Sequence, residues 1–209
     1  MKVRNVLLTA TCMLVSLAHS ANAAAETIDM FTSSVSSGSP TQLGRLSRNN
    51  IIADWSSVEL FPGVINPSTT YHYTTYTYSA ADLLYASFIQ IDFDSTSPNT
   101  FISAYLGSYD PNNKAAGYLG DEGNSGNFFG TDPRAFQVIV PGNANLVLVV
   151  NTTAGGLVGT GDPFSLTVEA FADTNYNDPV ITPEPSTLVL LGSGLVGLVG
   201  AVRRKILTA

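Results

Sequence analysis

The chain has 209 residues, 44% of them hydrophobic, with nine Lys and Arg against sixteen Asp and Glu, for a formal net charge of −7 at pH 7. One cysteine and two histidines exclude an internal disulfide framework, a Cys-bound metal and a multi-histidine metal cluster. The acidic balance argues against nucleic acid as a partner.

Taken in chain order, Lys2 and Arg4 form a positive start and Val6 to Leu17 an apolar run. Ala21-Asn22-Ala23 then fits a small-x-small cleavage site, with Ala23-Ala24-Ala25 as the alternative. Residues 1–23 therefore read as an export signal peptide. Cys12 lies inside it, so the mature chain carries no thiol nucleophile. Residues 24–182 make one domain's worth of chain, long enough to bury a core without staples. Five of the nine basic residues and one of the sixteen acidic residues lie outside this body. It is left with Arg45, Arg48, Lys114 and Arg134 against fifteen carboxylates, a net charge near −11.

Within the body, Ser33 to Thr41 is rich in Ser, Gly and Pro and reads as a long loop. Tyr71 to Tyr78 is an aromatic and β-branched run with strand character. A period of two follows in Ser87–Phe93, where Ile89, Ile91 and Phe93 oppose Gln90 and Asp92. It recurs in Ile102–Leu106, Phe136–Val140 and Phe164–Ala170. Leu146 to Val150 is continuously apolar, the pattern of a strand buried on both faces. Pro98-Asn99, Asp110 to Asn113, Pro141 to Asn143 and Gly155 to Pro163 supply the turns. No soluble helix is predicted. The pattern predicts an all-β, antiparallel β-sandwich or jelly roll.

The last segment, 183–209, changes character. Pro183-Glu184-Pro185 is stiff and extended, because each proline fixes φ and restricts its predecessor. An uncharged Leu/Gly/Val run follows, then Arg203-Arg204-Lys205. A helix over about 186–202 would span roughly 25 Å, slightly under the ~30 Å hydrocarbon core. Such a transmembrane helix would leave the basic trio as its cytoplasmic stop. Ser193, Gly197 and Ala201 recur every four residues, the spacing of a close helix-packing face.

This tail resembles the PEP-CTERM sorting signal of Gram-negative bacteria. The resemblance implies recognition by an exosortase-type transpeptidase that cuts near Pro183-Glu184-Pro185. It also implies association with exopolysaccharide. The precursor would be anchored in the inner membrane and the product would reach the cell surface or the extracellular space. An LPxTG motif is absent from the sequence. The body resembles the bacterial pre-peptidase C-terminal type of β-sandwich, through Ser103 to Asn112, Tyr118-Leu119-Gly120-Asp121, Phe136 to Gly142, Leu146 to Val150 and Phe164 to Val168. Those modules accompany secreted enzymes and are not themselves catalytic. Here no protease is attached, which implies an accessory or structural role.

Several side chains invite a chemical reading. His72 lies within the tyrosine run, where a packed aromatic partner is the plain alternative to catalysis. Asp92 and Asp94, two apart on a strand, would lie about 7 Å apart on one face, suited to acid/base work on a glycosidic bond, to a cation or simply to water. Asp121, Glu122 and Asn124, with Asp132, have the oxygen chemistry of a structural calcium site, against the alternative of a solvated loop. Trp55 with Tyr71, Tyr73, Tyr76 and Tyr78 would make a sugar-stacking platform or a packed core. Asn151-Thr152-Thr153 fits a glycosylation sequon, read as accidental in a bacterial context. Apart from the possible calcium, no cofactor is expected. The resulting expectation is an exported, non-enzymatic surface or matrix protein, with a carbohydrate-binding module and a glycan-active enzyme as alternatives.

Overall fold

A computed structural model describes residues 25–126 and 134–171. The predicted signal peptide, the tail with Pro183, Glu184, Pro185 and the 186–202 helix, the stop residues Arg203, Arg204 and Lys205, and the calcium candidate Asp132 lie outside the described residues. The chain divides into two compact units, Met1–Thr174 and Asn175–Ala209, and all described residues belong to the first.

Nine strands are described: β1 (Ala25–Ser34), β2 (Thr41–Leu46), β3 (Val64–Tyr78), β4 (Phe88–Asp94), β5 (Thr100–Leu106), β6 (Tyr118–Asp121), β7 (Arg134–Ile139), β8 (Leu146–Thr152) and β9 (Pro163–Phe171). They form a four-stranded sheet, β1-β9-β4-β7, and a five-stranded sheet, β2-β3-β8-β5-β6. Every pairing is antiparallel. With β2 set aside, strands from early and late in the chain alternate in each sheet as in a jelly roll. Among the described residues there is no α-helix, and hence none long and apolar enough to cross a membrane.

Two differences from the sequence reading concern the start of the body. The stretch 33–41 is no long loop, because β1 continues to Ser34 and β2 begins at Thr41. Between them Val35 is fully buried. Ser33 and Ser34 are half-buried on β1, an edge strand, and Ser36 to Pro40 make only a short turn into β2. The Tyr71–Tyr78 run is a strand, but β3 starts earlier, at Val64, where Val64 and Ile65 pair with Leu46 and Arg45 of β2.

The core lies between the sheets. Ile89, Ile91 and Phe93 of β4, Phe136 and Val138 of β7, and Phe164, Leu166, Val168 and Ala170 of β9 face Ile102 and Ala104 of β5 and Leu146, Leu148 and Val150 of β8. The alternation in β4 and β9 is thus the inner face of a sheet whose other face is half exposed. The five-stranded sheet differs. All of β8, and β5 up to Tyr105, are buried, so this sheet is covered on its outer face too.

One open side of the sandwich is stitched by the segment between β2 and β3. Ala53 donates its N–H to Asp121 O of β6 (3.0 Å) and accepts from Gln137 N of β7 (2.9 Å), linking the two sheets. Asn50 N donates to Gly123 O (3.0 Å) and the Trp55 indole to Val138 O (3.2 Å). This close approach requires glycine. A Cβ on Gly120 would lie 2.4 Å from Ala53 Cβ, and one on Gly123 would lie 2.5 Å from Ile51 O at a φ of +79°.

Candidate functional site

The described part of the acidic loop, Asp121 to Gly126, is not solvated. Asp121 and Glu122 are fully buried, and Asn124 and Ser125 nearly so. Their oxygens are turned to protein donors. Asp121 Oδ2 accepts from Tyr118 OH (2.7 Å) and Oδ1 from Gly123 N (2.7 Å). Glu122 Oε1 accepts from Ile102 N (3.0 Å), so the carboxylate takes the place of a strand partner at the sheet edge. Asn124 Nδ2 donates to Asn50 Oδ1 (2.7 Å) and Asn124 Oδ1 accepts from Ser125 N (2.9 Å).

A residue that sequence reading missed completes this cluster. Glu59, in the bridging segment, accepts from Asp121 N through Oε2 (3.0 Å) and from Asn49 Nδ2 through Oε1 (3.0 Å). Burial, and then the neighbouring Glu59 charge, push the Asp121 carboxyl up to about 7, although Tyr118 and Gly123 favour its ionised form. Burial likewise raises the Tyr118 phenol, with Asp121 and Glu59 adding to the effect. Arg48 donates to Ser125 Oγ and feels the Glu122 charge. Glu59 stands between exposed Val58 and Leu60 with no periodicity around it, so no sequence signal singles it out.

The cluster can store a proton and hold the bridging segment. Among the described residues no group of three or more His, Cys, Asp or Glu side chains is arranged to hold a metal ion. Asp121, Glu122 and Asn124 do come together, but as acceptors and donors within the fold.

The other candidates are dispersed. His72 is nearly buried, and its Nδ1 lies 3.1 Å from Ser39 O; a carbonyl only accepts, so Nδ1 carries the proton. The tyrosines split by strand parity. Tyr76 and Tyr78 face inward, reaching Ser33 Oγ (2.9 Å) and Asp29 Oδ2 (3.1 Å). Tyr71 and Tyr73 face outward, Tyr71 beneath Arg45 and Tyr73 against Tyr109. Trp55 joins neither set. It packs edge-on against Phe88 (5.4 Å) and Phe171 (5.1 Å) on the four-stranded sheet. The five aromatics therefore form no single platform. Asn151 of the sequon is buried in β8 and donates to Thr152 O (2.8 Å).

Asp92 and Asp94 lie on the half-exposed outer face of β4. There Gln137 Nε2 donates to Gln90 Oε1 (2.8 Å), and Gln90 Nε2 reaches Glu169 Oε2 (3.2 Å) and, at the 3.5 Å limit, Asp92 Oδ2. The structure thus joins Asp92 to Glu169 rather than to Asp94. Cross-strand register decides this, since Gln90 is opposite both Gln137 and Glu169.

The body is an all-β domain of two antiparallel sheets. Comparison with known proteins adds the tail, where residues 182–205 match the PEP-CTERM protein-sorting motif. No curated protein matches the chain. Motifs of this kind are recognised by exosortase, and they imply export, processing at the membrane and a surface or extracellular destination.

Proposed function

We propose that this chain is an exported, non-catalytic surface or matrix protein whose body associates with exopolysaccharide after an exosortase-type enzyme has processed its tail. The observation that carries the reading is the match at 182–205, behind a body rich in buried β structure. Its resemblance to pre-peptidase C-terminal modules points the same way. In support of a non-catalytic role, His72 Nδ1 is spent on a backbone carbonyl and Asp92 sits in an amide–carboxylate ladder on a half-exposed sheet face. The calcium site raised as one alternative in the sequence has no assigned role in this reading.

The glycan contact is best placed on the outer face of the four-stranded sheet, where Trp55, Phe88 and Phe171 adjoin Gln137, Gln90, Glu169 and Asp92. Aromatic faces beside amides and carboxylates suit sugar rings and their hydroxyl donors. The test has two parts. Intact mass of protein recovered from cells is expected to lack residues 1–23 and the tail; an unprocessed mass would overturn the sorting reading. In affinity electrophoresis, matrix polysaccharide is expected to retard the wild type and not a Trp55→Ala, Gln90→Ala variant. Equal mobility of both proteins in its presence would overturn the glycan contact.

A further inference from the structure

The outer face of the five-stranded sheet is buried yet polar. Register sets its side chains in rows: Tyr73, Asn151 and Phe101; then Thr75, Val149, Ser103 and Asp121; then Thr77, Val147, Tyr105 and Tyr118. Tyr109, from the loop after β5, roofs these rows. Its ring packs on Tyr105 (4.7 Å) and Tyr73 (5.3 Å), and its hydroxyl donates to Gln42 Oε1. Lys114 fastens the same loop to Leu43 O (2.9 Å).

Under this roof four buried polar atoms lack a full set of partners: Gln42 Nε2 and Asn151 Oδ1 have none, and Ser103 Oγ and Tyr105 OH have at most each other. Their residues are 4%, 1%, 0% and 0% exposed. Buried polar groups in folded proteins are almost always hydrogen-bonded, and leaving one unmade costs more than a made bond contributes. Rotation does not resolve the set. Asn151 is held by its donation to Thr152 O, and Gln42 by Tyr109. Ser103 and Tyr105 adjoin on one face of β5, and a bond between the two hydroxyls would still leave the amide groups unmatched.

We infer that the roofed face of the five-stranded sheet is a closed binding site for a neutral hydroxyl ligand. The unmatched atoms are one amide donor, one amide acceptor and two hydroxyls that do both. A hydroxyl group complements such a mixture, because it also donates and accepts. An ion does not, since none of the four atoms is charged and the adjacent carboxylate, Asp121, is engaged by Tyr118 and Gly123. Water and a small polyol share the required chemistry. Polar cavities hold water as part of the structure, whereas empty ones are apolar.

The test compares the full wild-type chain with a Ser103→Ala, Tyr105→Phe double variant by thermal unfolding. An occupied site predicts that the double variant melts a few degrees lower, because its bonds to the ligand are lost. A dry site predicts unchanged or higher melting, because both hydroxyls go together and neither is orphaned; that result overturns the inference. A glycerol titration separates the two sources. A saturable rise in wild-type melting, absent in the double variant, assigns a polyol, and parallel behaviour of the two proteins assigns water. A crystal structure is expected to show density within hydrogen-bond distance of Gln42 Nε2 and Asn151 Oδ1. Direct pairing of the four groups with one another there would equally refute the site.

Discussion

Replacing Asp121 by Asn should remove most of the pH dependence of folding between pH 4 and 7. The carboxyl rises from its ordinary 3.8 to about 7 in the folded chain. The unfolded chain therefore ionises first as pH rises, and between those values the folded state holds the extra proton. Stability from this group is fully present below about pH 4 and is lost as pH climbs to about 7. Each unit corresponds to about 1.4 kcal/mol, so the shift is worth on the order of 4 kcal/mol, a sizeable part of a domain's net stability. Desolvation is the largest cause and the Glu59 charge adds to it, against the bonds from Tyr118 and Gly123. Tyr118, raised above its ordinary range, stays neutral throughout and does not enter. The assay is urea unfolding of the full chain at half-unit steps from pH 4 to 8. Wild type should lose stability steadily up to pH 7 and then level off. The Asp121→Asn curve should lack this component, while Oδ1 keeps its bond from Gly123 N. If the two curves run parallel, the buried-proton reasoning is wrong.

Other outcomes follow from the same geometry. Gly123→Ala should destabilise by about 1–3 kcal/mol, because positive φ and the Ile51 carbonyl both oppose a Cβ; an unchanged melting temperature would contradict the bridging contact. Changing Pro183, Glu184 and Pro185 together to Ala should cause unprocessed chain to accumulate, read by intact mass; normal processing would remove the role given to the motif. Calcium should leave the melting temperature unchanged, because Asp121 and Glu122 already accept from protein donors. A chelator-sensitive melt would refute this and restore the calcium alternative. An Asp92→Ala chain should match wild type on glycan substrates, and a loss of hydrolysis in the variant would restore the enzymatic alternative.

Much of this was legible in the residues. The period of two in Ile89–Phe93 and Phe164–Ala170 marks inward faces because side chains alternate across a strand. The unbroken run Leu146–Val150 marks a strand covered on both sides. The order of prolines, apolar run and basic stop marks the tail, since each part acts through local chemistry alone.

What the residues left open is what covers each face. Tyr71 to Tyr78 reads as one aromatic surface, yet parity sends Tyr76 and Tyr78 into the core and Tyr73 beneath Tyr109. Asp121 and Glu122 read as a loop in water, yet Glu59, sixty-two positions away from Asp121, closes over them. Local pattern marked β4, β5, β7, β8 and β9 as strands and, in the alternating ones, which residues face inward. Only the tertiary structure decided which outer face stays wet, because that depends on segments remote in sequence whose own residues carry no periodic signal.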